Sequence, residues 1–134
     1  MDVLFLDANV LYSAAYRADA GVARLWQLEE TTLLTSGYAL EEARRSLERP
    51  EQRARLDELT KAVEVSEAIP DVELPPDVVL PAKDRPILTA ALAAGATHLI
   101  TGDQTHFGRL FGCRIGITLV TTPAAYLAQR GTHG

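Results

Sequence analysis

The sequence predicts an α/β domain with a parallel sheet and helices on both faces, on the strength of three observations. Short apolar and β-branched runs alternate with segments whose apolar residues repeat at helical spacing. The first run, at residues 3–6, is apolar throughout, as in a strand buried on both faces. The chain has 134 residues, 47% hydrophobic and 23% charged, so we expect residues 1–134 to form one globular domain.

Five strands and five helices are predicted in alternation. Apolar or β-branched side chains cluster in each predicted strand. The predicted strands are residues 3–6, 32–35, 62–65, 97–101 and 117–121. The predicted helices are residues 22–28, 40–47, 53–59, 87–92 and 124–129. Residues 70–81 contain four of the seven prolines and predict an extended connection.

Composition and charge exclude several classes of protein. The single cysteine, Cys113, excludes an internal disulfide and a Cys-rich zinc site, and it fits a reducing compartment. No stretch of ~20 apolar residues and no signal peptide is found, so we expect a cytoplasmic chain without membrane contact. The net charge of −5 argues against broad electrostatic binding of nucleic acid.

Two aspartates follow predicted strands. Asp7 comes directly after the first strand, and Asp103 follows the fourth. Ligand sites in open α/β sheets lie at the carboxyl ends of the strands. If the two strands are neighbours, their axes lie ~4.8 Å apart and the carboxylates are side by side. Asp is also a good helix N-cap, so a cap is the alternative for each residue.

Two further acidic residues lie in helical patterns. Asp84 precedes Ile87 and Leu88 by three and four positions, which places it in line with an apolar helix face; an N-cap is again the alternative. Glu42 lies about 115° and Glu41 about 145° from the centre of the apolar face of their helix. Glu42 is only slightly nearer the buried edge, so a surface ion pair is the favoured interpretation on this evidence alone.

Carboxylates that converge without basic partners repel one another, and hard divalent cations such as Mg²⁺ or Mn²⁺ relieve that repulsion. Such ions activate water and stabilise charge on a phosphodiester. Other site classes lack support. The three histidines form no HExxH pattern, and the chain has no GxxxxGK[ST], GxGxxG or GxSxG motif. The sequence therefore favours metal-dependent phosphate chemistry.

Four segments together resemble the motifs of PIN-domain nucleases. They are residues 5–11 (FLDANVL), 40–50 (LEEARRSLERP), 83–91 (KDRPILTAA) and 99–103 (LITGD), the last followed by His106 and Phe107. Their order and spacing are similar to those of the family over nearly the whole chain. Alignment backward from Pro50 places the helical glutamate of the family on Glu42.

This resemblance implies a three-layer α/β/α fold with a five-stranded parallel sheet. It implies an endoribonuclease that depends on Mg²⁺ or Mn²⁺ and hydrolyses RNA with metal-activated water. It also suggests the toxin of a toxin–antitoxin pair, of the VapC type, with a cognate antitoxin as partner. Nucleases of this kind commonly form homodimers. The apolar residues Leu25, Trp26 and Leu28 exceed what one helix face needs, so an exposed apolar patch is one interpretation, whereas a simple core helix is the favoured one on the residues alone.

The resemblance also implies the residues of the site. The expected catalytic residues and metal ligands are Asp7, Glu42, Asp84 and Asp103, with Glu42 bound to the metal through water or orienting the attacking water. The candidates for supporting contacts are Asn9, Thr101 and His106, the last standing where many relatives carry a further acidic residue. The candidates for contacts to RNA phosphates are Arg44, Arg45 and Arg49, for which a solvated helix face is the alternative.

Two other functions stay open at this point. A haloacid-dehalogenase-type phosphotransferase also begins with an apolar strand and an aspartate, and it also needs Mg²⁺. Its first motif has a second aspartate two residues on, where this chain has Asn9, and its last motif, GDxxxD, ends in an aspartate where this chain has Phe107. The other alternative is a non-catalytic partner-binding module on the same fold.

Overall fold

The computed structural model describes residues 1–67 and 72–131. Its six strands are β1 (Asp2–Leu6), β2 (Thr31–Ser36), β3 (Glu64–Ser66), β4 (His98–Ile100), β5 (Arg114–Ile115) and β6 (Thr118–Thr121). Its α-helices are α1 (Ala8–Tyr16), α2 (Gly37–Ser46), α3 (Pro50–Thr60), α4 (Arg85–Ala93), α5 (Gln104–Phe107) and α6 (Pro123–Gly131). Short 3-10 helices span Gly21–Gln27 and Gly108–Leu110.

The strands form one mostly parallel sheet in the order β3-β2-β1-β4-β6-β5. The five predicted strands are all present and all pair in parallel. The prediction of a five-stranded sheet missed β5, a two-residue strand that pairs antiparallel with β6. The turn between these two strands contains Gly116 at φ 60°, a conformation that glycine adopts without strain.

The sheet is centred on β1, as its uninterrupted apolar sequence predicts. Leu4, Phe5 and Leu6 are all buried, because helices cover both faces of the strand. α1 packs on α2 and α3, whereas α4 packs against β2 and β4. Since parallel crossovers are right-handed, the helices that follow β1 and β2 lie on one face and α4 lies on the other. The expected three-layer α/β/α class is therefore confirmed.

Three helical segments differ from the prediction. The single-turn helix α5 is absent from the predicted helices. α1 was missed, although Val10, Leu11, Ala14 and Ala15 form a buried helical stripe directly after β1. The segment expected as a helix at 22–28 is a 3-10 helix.

The same segment packs on the core, as the favoured interpretation predicts, and forms no fully exposed apolar patch. Leu25 is fully buried, and Trp26 is partly buried with its indole Nε1 donating to the carbonyl of Leu59. Leu28 is partly buried against the core as well. Since none of these three side chains is fully exposed, the segment does not support the expected homodimer.

The proline-rich connection follows the prediction where it is described. Part of it, residues 70 and 71, lies outside the described residues. From Val72 to Asp84 the chain contains turns and extended backbone, and it delivers Asp84 to the start of α4. No helix in the described part of the chain is long and apolar enough to cross a membrane.

Candidate active site

The candidate site lies where the strand order of the sheet reverses, at the carboxyl ends of β1 and β4. These strands are neighbours, with Leu6 opposite Ile100. The backbone N–H of Asp7 continues the pairing by donating to the carbonyl of Ile100 at 3.0 Å. Asp7 and the segment that leads to Asp103 therefore leave the sheet side by side, at the position where open α/β sheets bind ligands.

All four predicted acidic residues line one cleft of about 300 Å³ at this edge. They come from four separate segments: the end of β1, helix α2, the start of α4 and the loop after β4. The complete lining is Asp7, Ala8, Asn9, Tyr12, Glu42, Ala43, Ser46, Lys83, Asp84 and Asp103. A larger apolar groove of about 920 Å³ adjoins it and shares Asn9.

Asp7 has both carboxylate oxygens engaged by protein donors. Its Oδ1 accepts from the backbone N–H of Ala8 at 2.6 Å, which makes it the N-cap of α1. Its Oδ2 accepts from the Thr101 hydroxyl at 2.8 Å and from the Asn9 amide at 3.1 Å. Burial nevertheless raises the pKa of Asp7 to about 6, and the charges of Asp84 and Glu42 push it in the same direction.

Hydrogen bonds of Asn9 and Thr101 connect the two sides of the cleft. Asn9 donates from its amide to the Thr101 hydroxyl at 3.2 Å and accepts from the backbone N–H of Gly102 at 2.7 Å. A side chain at Gly102 would bring a Cβ within 3.3 Å of that amide oxygen, so glycine permits the close approach. These contacts hold Asp7 against the loop that carries Asp103.

Asp103 is both an N-cap and a member of the acidic cluster. Its Oδ1 accepts from the backbone N–H of His106 at 3.0 Å and caps the short helix α5. Its Oδ2 lies 2.9 Å from the His106 Nδ1 atom. The sequence offers the helix cap and the acidic cluster as alternatives for Asp103. In the structure its Oδ1 caps α5 and its Oδ2 belongs to the cluster.

Asp84 differs from these two aspartates because its side chain caps no helix. It occupies the N-cap position of α4 without a capping hydrogen bond, and it exposes 8% of its surface. Its Oδ2 lies 2.9 Å from His106 Nδ1, yet the two atoms are out of line for a hydrogen bond. Burial raises the pKa of Asp84, and the charges of His106 and Lys83 oppose that effect.

The structure separates the two glutamates of α2. Glu42 lines the cleft and is half-buried, whereas Glu41 is exposed and lies 3.9 Å from Arg45 in a surface ion pair. The cleft lies beside α2, and adjacent residues of a helix point about 100° apart, so only one of the two glutamates faces the cleft. The helical angle alone favoured Glu42 too weakly to make this distinction.

The three arginines proposed to contact RNA each face a carboxylate on the surface. Arg44 lies 2.6 Å from Asp57, and Arg49 lies 3.7 Å from Glu51. Arg45 has the partner already described, and none of the three lines the cleft. The basic residue on its rim is Lys83, which the sequence analysis did not single out. Its place directly before Asp84 in the KDRPILTAA segment was the available signal.

The chemistry of the cleft fits a divalent cation. Asp84, Asp103 and His106 each offer one ligand atom, and these atoms all lie within 4.8 Å of one another. The Oδ2 atom of Asp84 is buried without a hydrogen-bond partner, which is costly for a carboxylate unless a cation satisfies it. Oxygen donors of this kind suit Mg²⁺ and Mn²⁺.

The fold and the cleft define the class: an α/β protein that carries an acidic site at the switch point of a parallel sheet. A family model of the PIN domain matches residues 3–105. The chain belongs to the PIN domain family, as its four motifs indicate.

The fold of this chain is also similar to that of a solved structure. The fold matches a chain in the crystal structure of VapBC2 from Rickettsia felis bound to a DNA fragment from their promoter. The match has a TM-score of 0.67 and 18% sequence identity, and it covers 90% of this chain and 98% of that chain. At this identity the likeness establishes the fold alone. No curated protein gives a significant match to this chain.

Proposed function

We propose that this chain is a metal-dependent endoribonuclease that hydrolyses RNA phosphodiester bonds. The observation that carries the proposal is the convergence of four acidic side chains from four segments on one cleft, with a carboxylate oxygen of Asp84 buried and without a hydrogen bond. Membership of the PIN domain family supports a nuclease, and the resemblance of the motifs supports RNA as the substrate. We propose that residues 1–134 act as one such domain, in the cytoplasm where RNA is present.

Each residue of the cleft has its own role in the proposed reaction. Asp7, Asp84 and Asp103 hold the cation, and Glu42 completes its shell through water or orients the attacking water. When bound, the cation lowers the pKa of water and offsets the charge that develops on the phosphodiester. Asn9 and Thr101 fix the Asp7 carboxylate through the hydrogen bonds described above.

Basic residues around the cleft supply the contacts to the RNA backbone. Lys83 stands on the rim, and Arg44, Arg45 and Arg49 are within a few residues of Glu42 in sequence. Their ion pairs are largely solvent-exposed and therefore weak, so phosphate groups can replace the carboxylate partners at little cost. RNA affinity in this arrangement falls as salt concentration rises.

The decisive test is cleavage of an unstructured single-stranded RNA. We expect cleavage with Mn²⁺ or Mg²⁺ and none after addition of a chelator, whereas single-stranded DNA of the same sequence serves as the substrate control. Cleavage that persists in chelator would overturn the metal mechanism. Binding of the metal without cleavage of RNA would favour the non-catalytic module instead. Membership of the PIN domain family leaves the haloacid dehalogenase alternative without support.

We also propose that the chain is the toxin of a toxin–antitoxin pair. The fold match to a chain of VapBC2, which was crystallised on promoter DNA, supports a partner that joins this chain to DNA. We expect the gene immediately upstream to encode a short protein with a DNA-binding amino-terminal half. That protein should co-purify with this chain and inhibit its cleavage of RNA. Failure of the two proteins to associate at micromolar concentration would contradict this part of the proposal.

The homodimer rests on the family resemblance alone, since the segment around Leu25 packs on the core. Light scattering at high micromolar concentration tests it. A particle of 14.5 kDa, the mass of one chain, would contradict it.

A further inference from the structure

Three ligand atoms meet at the point where α4 begins and β4 ends. The Nδ1 atom of His106 lies 2.9 Å from Oδ2 of Asp84 and 2.9 Å from Oδ2 of Asp103. Two ligands that each lie ~2.1 Å from one ion and at right angles are separated by about 3 Å. The two distances therefore match the edge of an octahedral coordination shell.

A second observation points to a ligand at the same place. Among the described side chains, the buried nitrogen and oxygen atoms without a hydrogen-bond partner are Asp84 Oδ2 and His106 Nδ1. Both belong to this cluster, and both face each other. A ring N–H of His106 does not satisfy either carboxylate, because the oxygens lie out of line with it. A cation that all three atoms could bind would remove both unsatisfied groups at once.

Asp103 positions the imidazole for this role. Its Oδ1 atom caps α5 by accepting from the backbone N–H of His106, so the single turn of helix brings residues 103 and 106 to the same side. Its other oxygen is left to face the ring. The imidazole is thus oriented by the same residue that would share the metal with it.

We propose that His106 Nδ1 is a direct metal ligand, so that Asp84, Asp103 and His106 form a mixed oxygen and nitrogen site. Imidazole binds transition-metal ions well and Mg²⁺ poorly, whereas an all-carboxylate site suits Mg²⁺. The site should therefore favour a transition-metal ion such as Mn²⁺ over Mg²⁺. This inference rests on the proposed function for the presence of a cation in the cleft, and it adds a nitrogen ligand to the carboxylates proposed there and names the preferred ion.

The test uses calorimetry of the full chain with Mn²⁺ and with Mg²⁺, and electron spin-echo spectroscopy of its complex with Mn²⁺. We expect wild type to bind Mn²⁺ at least about 10-fold more tightly than Mg²⁺ and to display the ¹⁴N coupling of an imidazole bound to Mn²⁺. His106→Asn should weaken Mn²⁺ binding at least about 10-fold and lose the coupling. His106→Asp should retain metal binding, lose the coupling, and reduce the preference for Mn²⁺ over Mg²⁺.

His98→Gln is the matched control, because His98 lies at the opposite end of β4, beside Thr97 and Tyr126. It should keep both the coupling and the affinity. Absence of the ¹⁴N signal in wild type, or equal Mn²⁺ affinity in wild type and His106→Asn, would overturn the inference. If RNA cleavage still depends on the metal in that case, the proposed function stands. If the chain neither binds metal nor cuts RNA, both fail.

Discussion

The charged side chains at the two ends of strands β1 and β4 differ in whether they have protein partners. At the amino end, Asp2 accepts from the Tyr126 hydroxyl at 2.5 Å and lies 3.7 Å from Arg130. Arg130 in turn donates to the Tyr126 hydroxyl and to the carbonyl of Glu29. Burial, with a smaller contribution from the Asp2 hydrogen bond, raises the pKa of Tyr126 to about 12. Each member of this group has a protein partner.

The carboxyl end gathers negative charge without a basic side chain of comparable strength. Asp7 is held by neutral donors, and Asp84 faces only His106 and the rim residue Lys83. The pKa values of Asp7 and Asp84 are both raised. Among the described residues, the buried side-chain atoms without a hydrogen-bond partner, Asp84 Oδ2 and His106 Nδ1, both lie at this one edge of the sheet. That edge is also where the fold binds ligands.

Substituting one aspartate at each end of the sheet should show the functional difference between the two ends most clearly. Asp84→Asn should lower metal-dependent RNA cleavage by ~100-fold or more, because the loss of a metal ligand exceeds that of an outer-shell contact. Asp2→Ala should leave cleavage within about 2-fold but lower the free energy of unfolding by about 1 kcal/mol, since it removes a partly buried hydrogen bond. Cleavage rates and urea unfolding of both variants check this. Similar cleavage by the two variants would mean that the carboxyl end has no special role.

The titration of Asp7 should appear in the stability of the metal-free protein. Its pKa is about 6 when folded, against 3.8 as the ordinary value, so the folded state binds more protons between these limits. The free energy of unfolding should therefore fall as pH rises from about 4 to about 6, by up to about 3 kcal/mol from this group. Urea unfolding of wild type and Asp7→Asn across this range isolates the effect. Parallel profiles for the two proteins would contradict it.

The two glutamates of α2 form a matched pair within the site. Glu42→Gln should reduce cleavage at least about 10-fold, because its carboxylate faces the cleft. Glu41→Gln should change cleavage by less than about 2-fold, since it removes only an exposed ion pair. Steady-state cleavage of one RNA by both variants measures the difference. A larger loss for Glu41→Gln would place the wrong residue in the cleft.

A smaller effect is expected from neutralising Asp103. In Asp103→Asn the amide oxygen keeps the cap of α5, while the negative charge that helps to raise the pKa of Asp84 is lost. At pH 8 without metal, we expect the variant to melt about 2–5 °C above wild type. Added Mn²⁺ should raise the melting temperature of wild type more than that of the variant. Equal melting curves in both conditions would reduce Asp103 to a cap.

Local sequence patterns were sufficient for the parallel strands and for most of the helices. The continuous apolar run of β1 identified a strand buried on both faces, because no polar side alternates with it. Local sequence patterns did not identify elements whose signal in the sequence is weak. The stripe of α1 was overlooked, and the hairpin at Gly116 added a two-residue strand that is too short to form a pattern.

The candidate site was predictable to a similar degree. Asp7, Asp84 and Asp103 stand directly beside strand or helix ends, where the position follows from local structure. Glu42 needed the motif alignment, because the two glutamates of α2 differ by a single helical step. The contacts of His106 could not be foreseen, since they depend on how α5 turns toward the start of α4.

Local sequence patterns predict that the chain alternates strands with helices and that acidic residues follow those elements. Periodicity and end positions are local properties, so they can be read without knowing the fold. Which carboxylate oxygens have hydrogen-bond partners, and which have none, depends on how distant segments pack. Asp7 finds its hydroxyl donor at Thr101, 94 positions away, while Asp84 finds none. Hydrogen-bond partners across the sheet arise from packing of distant segments, and that packing leaves the Asp84 oxygen and the His106 nitrogen without hydrogen bonds and 2.9 Å apart.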